Sequence, residues 1–386
     1  MNNFIFNAYT EMLFGKGQIE RLPEVLKRYG KSVLLTYGGG SIKRNGIYSK
    51  VKELLKDFNV VELSGIEPNP RIETVRHGVE LSRENKVDVI LAVGGGSTID
   101  CSKVIAAAHY YEKDAWDIVT TPSKIDKVLP IVTVLTMAAT GSEMNKNAVI
   151  SNMKTKEKLG TASTKMIPKA SFLDPEYTYS VPKIQTAAGC ADIMSHIFEA
   201  YFNKTKDAFV QDRFAEGLLE TCIKYCPIAL KEPENYEARA NIMWASSMAL
   251  NGLLGSGKGG AWTCHPIEHE LSAFYDITHG IGLAILTPRW MRYILSEKTV
   301  NKFVDYGINV WNLKLEEDKF ELARKAIDKT EEFFKMCGIP MTLSELQIDN
   351  TNFEEMARAA VIHGNLNEAY VALNKDDVYK ILEMCI

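Results

Sequence analysis

"VDVILAVGGGSTIDCSKVIAAAHYY", residues 87–111, decides the fold. Residues 87–96 form a short, continuously apolar, β-branched run that ends in Gly94, Gly95 and Gly96; residues 98–111 carry helical spacing. A strand of that kind, a glycine turn and a helix together make one βα unit of a parallel sheet covered on both faces. The same pattern repeats outward from this stretch. "KSVLLTY" (31–37) reads as a strand running into Gly38, Gly39 and Gly40, followed by a helix over 47–58, a strand over 59–65 and a helix over 72–86. "LPIVTVLT" (129–136) is a further strand. Short apolar runs alternating with helices predict a doubly wound parallel sheet. From "SVPKIQTAAGCADIMSHIFEAYF" (180–202) onward strand-like runs nearly vanish, and long helical segments such as 209–230, 237–253 and 320–336 take over. The expected organisation is an α/β domain over residues 1–180 followed by an all-helical domain over 181–386. A cleft between two such domains is a usual place for a ligand.

At 386 residues, 46% hydrophobic and 24% charged, the chain has the make-up of a globular protein with a core that needs no disulfide staples. A net charge of −4 argues against a nucleic-acid or anionic-membrane surface. No stretch approaches the roughly 20 apolar residues of a membrane span. The N-terminal "MNNFIFNAYTEML" lacks the basic and apolar regions of a secretory signal. The cysteines number seven and include no C-x-x-C pair, Cys222 and Cys226 being spaced C-x3-C. Reduced thiols and a cytoplasmic location are expected.

Two strand–glycine–helix junctions could hold phosphate: "LLTYGGGSIKRNG", with Gly38, Gly39, Gly40 and Ser41, and "ILAVGGGSTIDCSK", with Gly94, Gly95, Gly96, Ser97 and Asp100. Glycine allows close backbone approach, and the helix N-terminus that follows offers free N–H groups and the positive end of a dipole. Neither junction completes G-x-G-x-x-G, since Ile99 and Lys43 occupy the third glycine position. Either alone is equally well a tight βα turn; the pair favours a dinucleotide. The first carries no acid for an adenosine ribose, but it does carry Ser41, Lys43 and Arg44, which favours NADP over NAD.

"WTCHPIEHELSAFYDITHG" (262–280) holds three of the seven histidines. His265 and His269 share a helix face at i, i+4, and His279 opens the next apolar helix. Upstream, Asp192 and His196 are again i, i+4 on an apolar helix. A carboxylate and several imidazoles suit zinc or ferrous iron. His77, His109 and His363 read as ordinary core or surface histidines, and Asp192 alone could be a helix cap. "HPIEH" also matches the inverted zinc-peptidase motif, in which Glu268 would be the base. A zinc hydrolase would leave both glycine loops and the Asp192/His196 pair unexplained.

Taken together, these segments make the chain resemble the iron-containing (group III) alcohol dehydrogenases, within them the branch of butanol dehydrogenases and NADPH-dependent aldehyde reductases. The resemblance runs from "FGKGQIERLPEVLKRYGKSVLLTYGGGSIKRNGIY" through "EPNPRIETVRHGVE", "LAVGGGSTID" and "TVLTMAATGSEMN" to both histidine segments. It implies a nucleotide-binding α/β domain and a helical metal-binding domain, a dehydroquinate-synthase-like architecture with one metal in the cleft. The implied metal ligands are Asp192, His196, His265 and His279, with His269 nearby as a proton-transfer residue. The implied dinucleotide contacts are Gly38, Gly39, Ser41, Gly95, Gly96, Ser97, Asp100, Thr136, Thr140, Asn145 and Lys158. Met137 and Ala138 stand where relatives often carry Leu and Pro. The resemblance further implies hydride transfer between NAD(P)H and a primary alcohol or aldehyde such as butanal, a divalent metal that is iron or zinc, and a homodimer. A glycerol-type polyol dehydrogenase is the alternative. Ile150, Phe198, Leu253 and Phe274 are apolar residues that either favour short to medium aldehydes or belong to the core.

Overall fold

The computed structural model describes residues 1–315 and 317–386. Among the described residues eight strands form: β1 (Glu11–Phe14), β2 (Ser32–Tyr37), β3 (Asn59–Leu63), β4 (Val89–Gly94), β5 (Ile131–Leu135), β6 (Asn147–Asn152), β7 (Glu157–Ala162) and β8 (Ala170–Leu173). Six of them make one sheet of order β1-β8-β5-β4-β2-β3, every pair parallel, while β6 and β7 form a separate antiparallel hairpin. Between them run α1 (Leu22–Lys27), α2 (Ser41–Arg44), α3 (Ile47–Leu54), α4 (Ile72–Glu84), α5 (Gly96–Ala108) and α6 (Trp116–Thr120).

Both faces of this sheet are dry. Val33, Leu35, Val89, Leu91, Val93, Val132 and Val134 join one core with Leu22, Val25, Leu26 and Val51 from α1 and α3. Leu34 and Ile90 point the opposite way, into a core with Val75 of α4 and Val104 and Ile105 of α5. Burial on two faces is why β4 reads as an unbroken apolar run. The chain winds from β2 to β3 in one direction and returns to β4 on the other side of β2, so strand order reverses between β2 and β4. Ligands of open α/β sheets bind at such a reversal, outside the carboxyl ends of the strands. Both GGGS turns leave those two ends.

The remaining helices are α7 (Lys183–Tyr201), α8 (Phe209–Lys231), α9 (Tyr236–Leu250), α10 (Cys264–Tyr275), α11 (His279–Ile294), α12 (Val300–Trp311), α13 (Lys319–Met336), α14 (Phe353–Gly364) and α15 (Lys375–Glu383). Among the described residues no helix is long and apolar enough to cross a membrane.

The chain divides into two compact units: Asn7–Val181 with Pro233–Ser247, and Met1–Phe6 with Pro182–Glu232 and Met248–Ile386. Two segments lie in the other unit from the one the sequence suggests. Residues 233–247, expected in the helical domain, pack with the sheet: Met243 joins Ala92, Ile99, Leu135 and Leu173 in one small core, and Trp244 meets Phe14 edge-on at 5.7 Å. Residues 1–6 belong with the helices, where the Asn2 N–H donates to the Gly257 carbonyl (2.8 Å). Amphipathic periodicity says that a helix buries one face, not which unit supplies the partner.

Candidate metal centre and dinucleotide loops

Three helices of the second unit bring the sequence-singled residues together. Asp192 and His196 lie one turn apart within α7, so Asp192 is no helix cap. His265 sits in the first turn of α10, and His279 is the first residue of α11. Gly280 lets that junction close: a Cβ there would lie 2.0 Å from the Ala188 carbonyl oxygen of α7. Around Asp192 Oδ1 stand His196 Nδ1 at 3.5 Å, His265 Nε2 at 3.8 Å and His279 Nε2 at 3.8 Å. Asp192, His196 and His265 are buried, and Asp192 Oδ1, His196 Nδ1 and His265 Nε2 have no hydrogen-bond partner. Ligand atoms of Asp192, His265 and His279 lie within 4.8 Å of one another. His196 is outside that group of three; its ring packs on that of His265 with centroids 4.5 Å apart.

Two carboxylates that the sequence did not assign to this task aim the imidazoles. Glu199, on the Asp192/His196 face of α7, accepts from the Thr263 N–H (2.8 Å), from the His265 N–H (3.0 Å) and at His265 Nδ1 (3.1 Å). Glu268, fully buried, pairs with His279 Nδ1 and accepts from the Ser272 hydroxyl. Each carboxylate holds the far nitrogen of its histidine and so turns Nε2 towards Asp192, the arrangement that orients metal-ligating histidines. Glu268 is thereby occupied away from the base position it would need in a zinc peptidase. Ligand atoms of Glu268, His269 and His279 also lie within 4.8 Å of one another.

The electrostatics ask for a cation. Burial pushes the Asp192 carboxyl up, but the imidazoles of His196, His265 and His279 outweigh it and hold the group below the usual carboxylate range. Burial drives His196 down to about 3. Burial also opposes charge on His265, yet Asp192 and the hydrogen-bonded Glu199 raise it to about 9. Three buried carboxylates (Asp192, Glu199 and Glu268) thus leave the pocket short of positive charge. A divalent ion fits that deficit and the orphaned ligand atoms together. His269, half-buried, stands beside them, its ring centroid 5.5 Å from that of His279 and 6.4 Å from that of His265.

In the first unit the structure joins the Gly94–Gly96 turn with Thr136 and Thr140. The Thr136 N–H donates to the Gly94 carbonyl (3.0 Å), and a Cβ on Gly96 would lie 2.4 Å from Thr140 Oγ1. Gly95 caps α5 in extended conformation. The Gly38 loop lies alongside, 3.8 Å from Thr98 Oγ1 when a Cβ is built on it, and Gly39 faces open space. Gly40, at φ 97°, turns the chain into α2, where Ser41 is exposed. Lys43 lies over the rings of Tyr37 and Tyr48 at 5.1 and 4.9 Å. Three other expected contacts bond within the protein itself. The Ser97 hydroxyl donates to the Pro68 carbonyl. Asp100 accepts from the Ser142 hydroxyl (2.5 Å) and the Val149 N–H (2.9 Å). Asn145 donates to the Gly141 carbonyl (2.9 Å) and accepts from the Asn147 N–H (2.9 Å). Lys158 is buried on β7.

His77, His109 and His363 stand apart from the cluster, against Glu80, Ser82 and Glu270 respectively. Ile150 and Phe198 are core; Leu253 and Phe274 are half-buried. All seven cysteines are buried and none is joined in a disulfide, Cys226 Sγ lying 3.8 Å from Cys337 Sγ. Glu199 was legible in principle, three residues after His196 and so on the same helix face. Buried Lys103 was not, since a lysine in "CSKVIAAA" reads as a solvated position.

Comparison with known proteins places the chain among the nicotinamide-dependent oxidoreductases. Residues 10–175 match the iron-containing alcohol dehydrogenase family, and residues 186–386 match the C-terminal domain of the same family. The chain is 57% identical over 386 residues to the NADH-dependent butanol dehydrogenase A of Clostridium acetobutylicum, covering 99% of each. It is 44% identical to the NADPH-dependent aldehyde reductase YqhD of Escherichia coli, covering 94% of each. The crystal structure of the NADH-dependent butanol dehydrogenase A from Thermotoga maritima superposes with a TM-score of 0.95 at 40% identity, over 100% of this chain and 99% of that one. The chain belongs to the iron-containing alcohol dehydrogenase family. It is an NAD(P)-dependent alcohol/aldehyde oxidoreductase.

Proposed function

We propose that this chain interconverts short primary alcohols and aldehydes such as butanol and butanal, with one divalent ion held by Asp192, His196, His265 and His279. The observation that carries the proposal is the set of buried ligand atoms on Asp192, His196 and His265 that have no hydrogen-bond partner. A bound divalent ion supplies Lewis-acid polarisation of the substrate oxygen, and the nicotinamide supplies or takes up hydride. The chain's own residues do the rest. Glu199 and Glu268 fix the tautomers of His265 and His279 so that each Nε2 carries the free lone pair. Burial of Asp192, His196 and His265 keeps bulk water from those three ligands. His269 holds a proton on an imidazole nitrogen and delivers it to the substrate oxygen on reduction, as general acid. Gly95, Gly96 and the N-terminus of α5 hold the dinucleotide phosphates, with Thr136 and Thr140 packed against that turn.

Finer assignments follow the same residues. Ferrous iron and zinc both suit one carboxylate with three imidazoles. NADP is proposed over NAD: the turn after β2 carries Ser41, Lys43 and Arg44 and no acid, and Glu62 on β3 is engaged by Tyr37, Tyr48 and Lys52. Relatives are named for each cofactor, so the ratio of kcat/KM for NADPH and NADH tests this point on the chain itself. A homodimer and a cytoplasmic location are also proposed, the latter supported by seven cysteines held outside any disulfide. Light scattering tests the first and cell fractionation the second. The core proposal is tested by metal analysis after dialysis: wild type retains about one ion per chain and His265→Ala retains none. Equal retention would sink the ligand assignment.

A further inference from the structure

One buried charge in the first unit has no part in the chemistry above. Lys103 lies in the middle of α5, fully buried, among the largest side chains of the core. Its ammonium is bound on three sides: by Ser142 Oγ at 2.8 Å, Asn145 Oδ1 at 3.0 Å and the Asn147 carbonyl at 2.7 Å. Ser142 and Asn145 belong to the segment between β5 and β6, and Asn147 is the first residue of β6. One helical turn before, Asp100 accepts from the Ser142 hydroxyl in that segment and from the Val149 N–H of β6. Glu143, also fully buried, is tied down by Ser247 of α9, and its carbonyl accepts from Ser171 Oγ at 2.7 Å. The segment so clamped begins at Thr136 and carries Thr140 onto Gly96.

We infer that Lys103 is a positioning residue for the dinucleotide: through Ser142, Asn145 and Asn147 it sets the segment 136–147 against the Gly94–Gly96 turn. The inference rests on the proposal that this turn holds the cofactor phosphates. It assigns Asp100 and Asn145 the same task, because their polar atoms are engaged within the protein rather than presented outward. A buried ammonium is costly unless every proton meets an acceptor, so the segment cannot relax without leaving a charge unpaired. A hydrophobic residue at 103 would remove that constraint and leave the fold's apolar contacts in place.

The test is cofactor binding followed by nicotinamide fluorescence, with bound metal measured on the same samples. Lys103→Met is expected to weaken NADPH at least about tenfold, as loss of charged hydrogen bonds would. Its bound metal, its KM for butanal and its kcat at saturating cofactor should stay near wild type, a split that general loosening of the fold would not give. Ser142→Ala, which removes one acceptor of Lys103 and one donor to Asp100, should weaken NADPH by a smaller factor. It keeps the inference open to test if Lys103→Met does not fold. NADPH affinity within twofold of wild type in Lys103→Met, or in Ser142→Ala where only that variant folds, would overturn the inference. Absence of both NADPH and NADH binding by wild type would instead overturn the proposed function.

Discussion

Asp192 is the point to which His196, His265 and His279 all turn, at 3.5 to 3.8 Å, and the single-residue predictions follow from that convergence. His269→Ala should keep its metal and slow turnover by roughly 10²–10⁴-fold, the usual range for a lost general acid. Metal loss in His269→Ala would mean that His269 is a ligand. Glu268→Gln keeps the acceptor next to His279 but not its charge. A chelator competition should find its metal affinity about 10–100-fold weaker, the usual cost of removing a partner behind a ligand. Lys103 yields a pH prediction. Burial lowers it to about 8, against the pull of Asp100 and Glu143, from an ordinary value of 10.5. Between those values the unfolded chain holds a proton that the folded chain has lost, so stability rises with pH across that window; below it both states are protonated and the slope vanishes. Urea midpoints should therefore climb for wild type relative to Lys103→Met from pH 8 to 10, and a constant difference would speak against the shift. Helical spacing in the sequence paired Asp192 with His196 and His265 with His269; His279, on the next helix, and the choice of His265 rather than His269 as a ligand came only with the family resemblance. Glu268 was visible only as part of a hydrolase motif, because its partner His279 is set by tertiary packing.

At the scale of elements, the centre exists because α11 begins directly against the backbone of α7. Gly280 is the one residue type that fits there, since a Cβ would meet the Ala188 carbonyl oxygen at 2.0 Å. Gly280→Ala should shift the start of α11, lower stability by about 1–3 kcal/mol as overpacking does, and release metal by displacing His279. Calorimetry with metal analysis checks both, and an unchanged metal content would show that α11 tolerates the shift. The βα alternation around residues 87–111 was readable because buried parallel strands have a composition of their own. The short strands Glu11–Phe14 and Ala170–Leu173 carry too few residues for a pattern, and the antiparallel β6–β7 pair escaped notice. Likewise "TMAATGSEMN" gave no hint that Lys103 and Asp100 clamp it, since that bonding spans some forty residues of chain.

Across the whole molecule, two compact units carry the two halves of the chemistry, glycine loops in one and the histidine cluster in the other. The change from strands to helices near residue 180 was plain in the sequence. The return of residues 233–247 to the sheet was not, because it depends on Met243 and Ser247 meeting partners from the first half of the chain. The central claim is that neither a nicotinamide alone nor a metal alone suffices. It is tested most directly by absorbance of the reduced nicotinamide when chelator-stripped protein is mixed with butanal and NADPH or NADH, anaerobically, before and after addition of ferrous iron or zinc. The account predicts no consumption before metal and steady consumption after it, faster with NADPH than with NADH. Equal consumption by the stripped protein, or none with either metal and several aldehydes, would contradict it.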